Sequence, residues 1–121
     1  MESDPNRVAA ETFLKESAEA ANLLKLLSNH CRLLVLCHLA ACGEMAVGEL
    51  VERVGISQSA LSQHLAKLRG EKLVATRKDA QNVYYRICDP RAERLLTLLH
   101  QMFCPDLGQE PPLRQAGEIN E

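Results

Sequence analysis

At Gly70 the spacing of apolar residues changes from steps of three and four to steps of two. Upstream, in "ISQSALSQHLAKLRG", Leu61, Leu65 and Leu68 fall on one face of a helix over about 58–70. Ser57 is placed to cap this helix, and Ile56 to pack on Leu61 as a hydrophobic staple. Before it, Val47, Leu50, Val51 and Val54 predict a short helix over about 47–54, which Gly55 breaks. Downstream, "LVATRKDAQNVYYRIC" holds two runs rich in β-branched and aromatic residues on either side of the polar "RKDAQN". That is the pattern of a β-hairpin with an exposed basic tip. A short helix, a tight glycine turn, a capped helix and a basic hairpin make a helix-turn-helix followed by a wing.

The flanking segments extend a mainly α fold. From Val8 to Leu27 the chain is rich in strong helix formers, and Ala10, Phe13, Ser17, Ala20, Leu24 and Leu27 line one face. Ser28 and Asn29 can cap a second helix over about 30–41, which Gly43 ends. Pro90 can open a last helix over about 91–103, with Leu95, Leu98, Leu99 and Met102 together and Pro105 just beyond. Length predicts one domain, residues 7–104, between a disordered N-terminus (1–6) and a polar, Pro-rich disordered tail (105–121). Aromatic content is 3% and Trp is absent, so the core must be aliphatic. The start "MESDPNRVAAETF" has no basic segment followed by an apolar run, and no stretch reaches the roughly 20 apolar residues of a membrane span. The expected setting is the cytoplasm, with no membrane partner. Five cysteines at irregular spacing do not form an obvious disulfide framework. They are packing residues, metal ligands or reactive thiols.

The formal net charge of −2 conceals an uneven distribution. Residues 53–86 carry +5, the first 52 residues −4 and the last 35 residues −3. A basic middle between acidic flanks suits one surface that meets a polyanion, and equally a solvated charged face. On the 58–70 helix, Ser59, Ser62, Gln63 and Lys67 point away from the leucines, with Gln58 at the N-terminal end and His64 on the same helix. Gln reads adenine, Ser reads either partner, and Lys meets guanine or phosphate, so this face suits the major groove. On the hairpin, Arg77 and Lys78 are the expected phosphate contacts, with Gln81, Asn82 and Tyr84 nearby. Tyr84 and Tyr85 must point to opposite faces, so one belongs to the core.

Three stretches, "LSNHCRLLVL", "GELVERVGISQSALSQHLAKLR" and "LVATRKDAQNVYYRI", resemble the ArsR family of winged-helix repressors in order and spacing, over about Ala20 to Cys104. The resemblance implies a homodimer through the first and last helices, a palindromic operator DNA and an inducer bound away from the DNA. Two metal sites of the family are incomplete here. The short helix "MAVGELVERV" has no Cys or His, and "DPRAERLLTLLHQMF" has Asp89 but Arg91 where a His is needed, and only His100 beyond. A metal site outside the family pattern would use His38 with Cys42 and His100 with Cys104, each pair four residues apart. It would require the last helix to lie against the outer face of the second. The segments "VLCHL" and "HQMFCP" resemble the subgroup that senses sulfide, polysulfide and oxidants. That implies that Cys37 and Cys104 become joined by a disulfide or a bridging polysulfide, with a small reactive sulfur or oxidant as inducer, no cofactor and no resident metal. Against this stands Cys37 as a small buried hydrophobe. Cys31, Cys42 and Cys88 receive no role.

Two other function classes compete. A Cys-His hydrolase needs its pair in contact, whereas Cys37 and His38 are adjacent on a helix and diverge, so no enzyme is expected. An antirepressor that competes for DNA held by another regulator would share this fold.

Overall fold

Helix α1 (Pro5–Leu27) begins three residues before Val8, where composition places it. The Asp4 carboxylate accepts from the Asn6 N–H at 3.0 Å, and Pro5 sits in the first turn, where its missing N–H costs nothing. Pro5 and Asn6, expected to fray, therefore form helix. The computed structural model describes residues 4–103; Cys104 and the expected tail over 105–121 lie outside the described residues.

Asn29 caps α2 (His30–Cys42) by accepting from the Arg32 N–H at 3.0 Å, and the Arg32 side chain donates back to the Leu26 carbonyl at 2.9 Å. Gly43, at φ 86°, ends the helix. Val35, Leu36 and Leu39 are fully buried, and α2 packs against every other helix of the domain and against the hairpin. It is the central element.

A two-residue strand, β1 (Met45–Ala46), follows, which the sequence pattern did not predict. It leads directly into α3 (Val47–Val54), whose Leu50 is fully buried. Gly55, at φ 80°, makes the left-handed turn to α4 (Gln58–Gly70), a conformation that disfavours any residue with a Cβ. The hairpin is β2 (Val74–Asp79) and β3 (Asn82–Ile87), and the sheet order is β1-β3-β2, all antiparallel. The strands extend further than "RKDAQN" suggests: Asp79 pairs with Asn82, so only Ala80 and Gln81 form the turn. Tyr85 packs on the core and Tyr84 lies on the opposite face. Helix α5 (Pro90–Phe103) returns across α2, with Ala92 and Leu96 buried.

Helix α4 ends at Gly70, where the sequence places its end, but Gly70 is not the left-handed residue. Its cap is Glu71, and the left-handed residue is Lys72, at φ 64°. The Leu73 N–H donates to the Leu68 carbonyl at 2.9 Å and the Lys72 N–H to that of Arg69 at 3.0 Å, the two bonds of a Schellman ending. Leu68 and Leu73 are both buried, which supplies the apolar contact of that motif. The closed motif holds a lysine where glycine is easier. Lys72→Gly should therefore stabilise the fold by about 0.5–1 kcal/mol, read as a higher urea midpoint, whereas Lys72→Ala should not.

Candidate nucleic-acid interface

Helix α4 presents its polar face because its other face is fixed. The Ser57 hydroxyl accepts from the Ala60 N–H at 3.1 Å, setting where the helix starts. Leu61, Leu65 and Leu68 are 0–2% exposed, so the rotation of the helix about its axis is set by burial. Gln58, Ser59, Ser62, Gln63 and Lys67 are all exposed, as the sequence places them, and His64 is half-buried at the edge of that face. Ile56, half-buried before the cap, packs on the core with Leu61, as the staple requires.

The hairpin carries Arg77, Lys78, Gln81 and Asn82, all exposed. Register separates the two cations: Arg77 pairs with Tyr84 and Lys78 with Val83, so they point to opposite faces of the hairpin. Arg77 is already engaged. Its Nε and Nη2 donate to Glu44 Oε2 and Oε1, each at 2.9 Å. Its guanidinium carbon lies 4.6 Å from the centre of the Tyr84 ring, and Nη1 is 3.9 Å from Asp79 Oδ2. The hydrogen bond from Arg77 holds the Glu44 carboxyl below the usual carboxylate range. Nothing local to the sequence marks Glu44 as a partner of the wing, because the pair is 33 residues apart. Among the described residues Lys78 forms no ion pair.

Cys37 is half-buried on α2 and packs against the core. Among the described residues no three His, Cys, Asp or Glu side chains gather as a metal site, so His38, Cys42 and His100 do not assemble one together. His38 is half-buried; loss of water, and then the nearby Arg53 charge, push its pKa below the usual histidine value. Burial does the same to His100, whose Nε2 is enclosed and has no hydrogen-bond partner. A protonated His100, four residues before Cys104 in the sequence, would favour a thiolate at that cysteine, and the lowered pKa works against such a role. Among the described residues no single helix is long and apolar enough to cross a membrane.

A rigid helix with a polar outer face, set beside a three-stranded wing, defines a winged helix-turn-helix protein. The chain belongs to the ArsR family. It matches the family described as "Bacterial regulatory protein, arsR family" over residues 29–76. It is 49% identical over 90 residues to the transcriptional activator HlyU of Vibrio cholerae, spanning 74% of this chain and 82% of that protein. It is 42% identical over 94 residues to the biofilm growth-associated repressor of Xylella fastidiosa, spanning 78% and 82% respectively. The fold superposes on reduced HlyU from Vibrio cholerae with a TM-score of 0.74 at 47% identity, covering 78% of this chain and 98% of that one. These relatives are named as transcriptional regulators, one an activator and one a repressor.

The histidines give a pH signature. A lowered folded pKa means that the unfolded chain takes up the proton first, so stability falls as pH drops below about 6.5. The urea midpoint should be lower at pH 5 than at pH 7.5, and His38→Gln should flatten that difference. An undiminished difference would assign the effect to other groups.

Proposed function

We propose that this protein is a homodimeric transcriptional repressor of the cytoplasm that binds palindromic operator DNA when reduced. The observation that carries the DNA reading is the α4 surface: a leucine face locked into the core and an opposite face of Gln58, Ser59, Ser62, Gln63 and Lys67 left to solvent. His64 lies at the edge of that surface. In the major groove the glutamines and serines read base edges and Lys67 meets guanine or phosphate. Lys78 and the polar tip residues Gln81 and Asn82 meet the backbone or the adjacent minor groove. Arg77 reaches phosphate only if its ion pair with Glu44 opens.

The dimer reading rests on the exposed apolar side chains. Val8, Phe13, Leu14 and Leu24 on α1 and Leu98, Met102 and Phe103 on α5 make up the large exposed hydrophobics of the described residues. Their confinement to two helices supports a partner surface there, and a second copy would bring two α4 helices into successive major grooves about 34 Å apart.

The inducer reading joins Cys37 to Cys104. Cys37 lies on α2, α2 packs on α5, and Phe103, which ends α5, directly precedes Cys104. With a peroxide, the two thiols lose two protons and two electrons to form a disulfide, and the peroxide leaves as water. With an inorganic polysulfide, the inner sulfurs stay between the two cysteines and the two terminal sulfurs leave as hydrosulfide. Either link pulls the end of α5 towards α2 and shifts the dimer layer. The name of the Vibrio relative favours one second reading: the same DNA-binding activity raising transcription by displacing another regulator.

The test starts with duplexes selected from a random pool by the reduced protein, followed by anisotropy with and without polysulfide. No retained duplex would sink the DNA reading. Lys78→Ala should weaken binding alike on all sequences and lower the salt slope by about 0.9 per phosphate lost, whereas Gln63→Ala should relax base preference. Cys37→Ser should bind the selected duplex and ignore polysulfide. A Cys37→Ser protein that still releases DNA would remove Cys37 from the switch.

A further inference from the structure

The wing is held by a contact that the DNA reading does not require. Two edge strands, β1 and β2, flank β3, and they do not pair with each other. Arg77 on β2 lies over Tyr84 of β3 and grips Glu44, the residue before β1, with two bonds of 2.9 Å. The side chains therefore tie one edge of the sheet to the other across its outer face. The anchor at the far end is firm. Met45, next to Glu44, is 2% exposed in the core, and the Ala46 N–H donates to Glu49 Oε1 of α3 at 3.3 Å. The tie thus runs from the first helix of the helix-turn-helix, through β1, to the middle of the wing.

We infer that Glu44 is a positioning residue for the wing: by holding Arg77 over Tyr84 it sets the angle of the hairpin to α4, and phosphate is left to Lys78. The inference rests on the DNA reading and revises the expectation that Arg77 itself meets phosphate. Charge supports it. Arg77 lies between Glu44 and Asp79, so its positive charge is more than balanced where it stands. A phosphate arriving there meets two carboxylates. Lys78, on the other face of the hairpin, meets none among the described residues. Geometry supports it as well, because a planar fork with two parallel bonds fixes direction where a lysine ammonium fixes only distance. Val74, Tyr85 and Ile87 pack the base of the hairpin on the core, whereas residues 77–82 beyond it are exposed and held by their own ladder, so the tie at Arg77 acts where that packing ends.

The experiment compares four proteins: the parent, Arg77→Lys, Arg77→Glu, and the exchanged pair Glu44→Arg with Arg77→Glu. Backbone amide exchange is measured without DNA, and affinity for the selected duplex over a range of salt. Arg77→Lys keeps the charge and loses the fork. It should speed exchange in β2 and β3, leave α4 unchanged, and weaken binding roughly threefold per wing with the salt slope of the parent. The exchanged pair restores the tie with the charges reversed and should return both exchange and affinity to within about twofold of the parent. A phosphate contact at Arg77 would give the opposite pattern: Arg77→Lys binding like the parent and the exchanged pair losing affinity at least as badly as Arg77→Glu alone. Either result overturns the inference, as does amide exchange in β2 and β3 that Arg77→Lys leaves unchanged. If the parent itself retains no duplex, the DNA reading falls, and the exchange data still decide whether the tie holds the wing.

Discussion

The burial of three leucines, Leu61, Leu65 and Leu68, is what the rest of the structure depends on. Each buried leucine contributes about 1.5–3 kcal/mol relative to exposure, several times the worth of any surface polar contact. Their common face can meet the core in only one rotation of α4. The polar residues on the other face need no contacts of their own to be aimed outwards, and their orientation follows from packing. A reading helix has to be rigid before it is specific, since a helix free to roll would present a different set of side chains to each site. The Ser57 cap and the Leu73 to Leu68 bond secure the two ends of that helix, so its position along its axis is fixed as well as its rotation.

Where sequence order and physical cause coincide, the sequence was legible. The bounds of α3 and α4, the Asn29 cap and the division of Tyr84 from Tyr85 follow from periodicity, cap chemistry and the alternation of a strand. What was hidden lies in contacts between residues far apart in the chain. Strand β1 exists because Met45 and Ala46 meet Tyr85 and Tyr84 of β3, and two residues carry no strand period. Arg77 reads as a phosphate contact in isolation because its exposure and charge are visible, whereas Glu44 lies in a short loop with no pattern. Lys72 is hidden for another reason: Gly70 ends the helix as its type suggests, but the left-handed residue that closes the Schellman ending is Lys72, two positions further on. Pro5 lies in a segment expected to fray, although at a first turn proline starts a helix.

The exposed apolar surface and the basic surface lie on different elements. Helices α1 and α5 hold the exposed large hydrophobics of the described residues and carry almost no net charge. The basic middle folds into α4 and the wing. A dimer through α1 and α5 would bury that apolar surface and leave the basic surface open. The two halves of the proposed activity, pairing and reading, are thus placed on different elements.

Between these halves lies α2. It touches α1, α3, α4, α5 and the hairpin, and Val35, Leu36 and Leu39 are sealed inside it. A close-packed interior passes on a displacement instead of absorbing it, because few voids are available to take up the change. A thiol on the half-buried edge of this helix is therefore a position from which the proposed covalent link would act on both layers at once. The same link made at Cys42 or Cys88, both exposed, would meet solvent and leave packing nearly unchanged. Cys37 also lies one residue from His38, whose neutral form the fold already favours, so the region tolerates no added charge cheaply. A switch in this place gains most from a product that is uncharged and ties two points together, and a sulfur bridge between two cysteines does both.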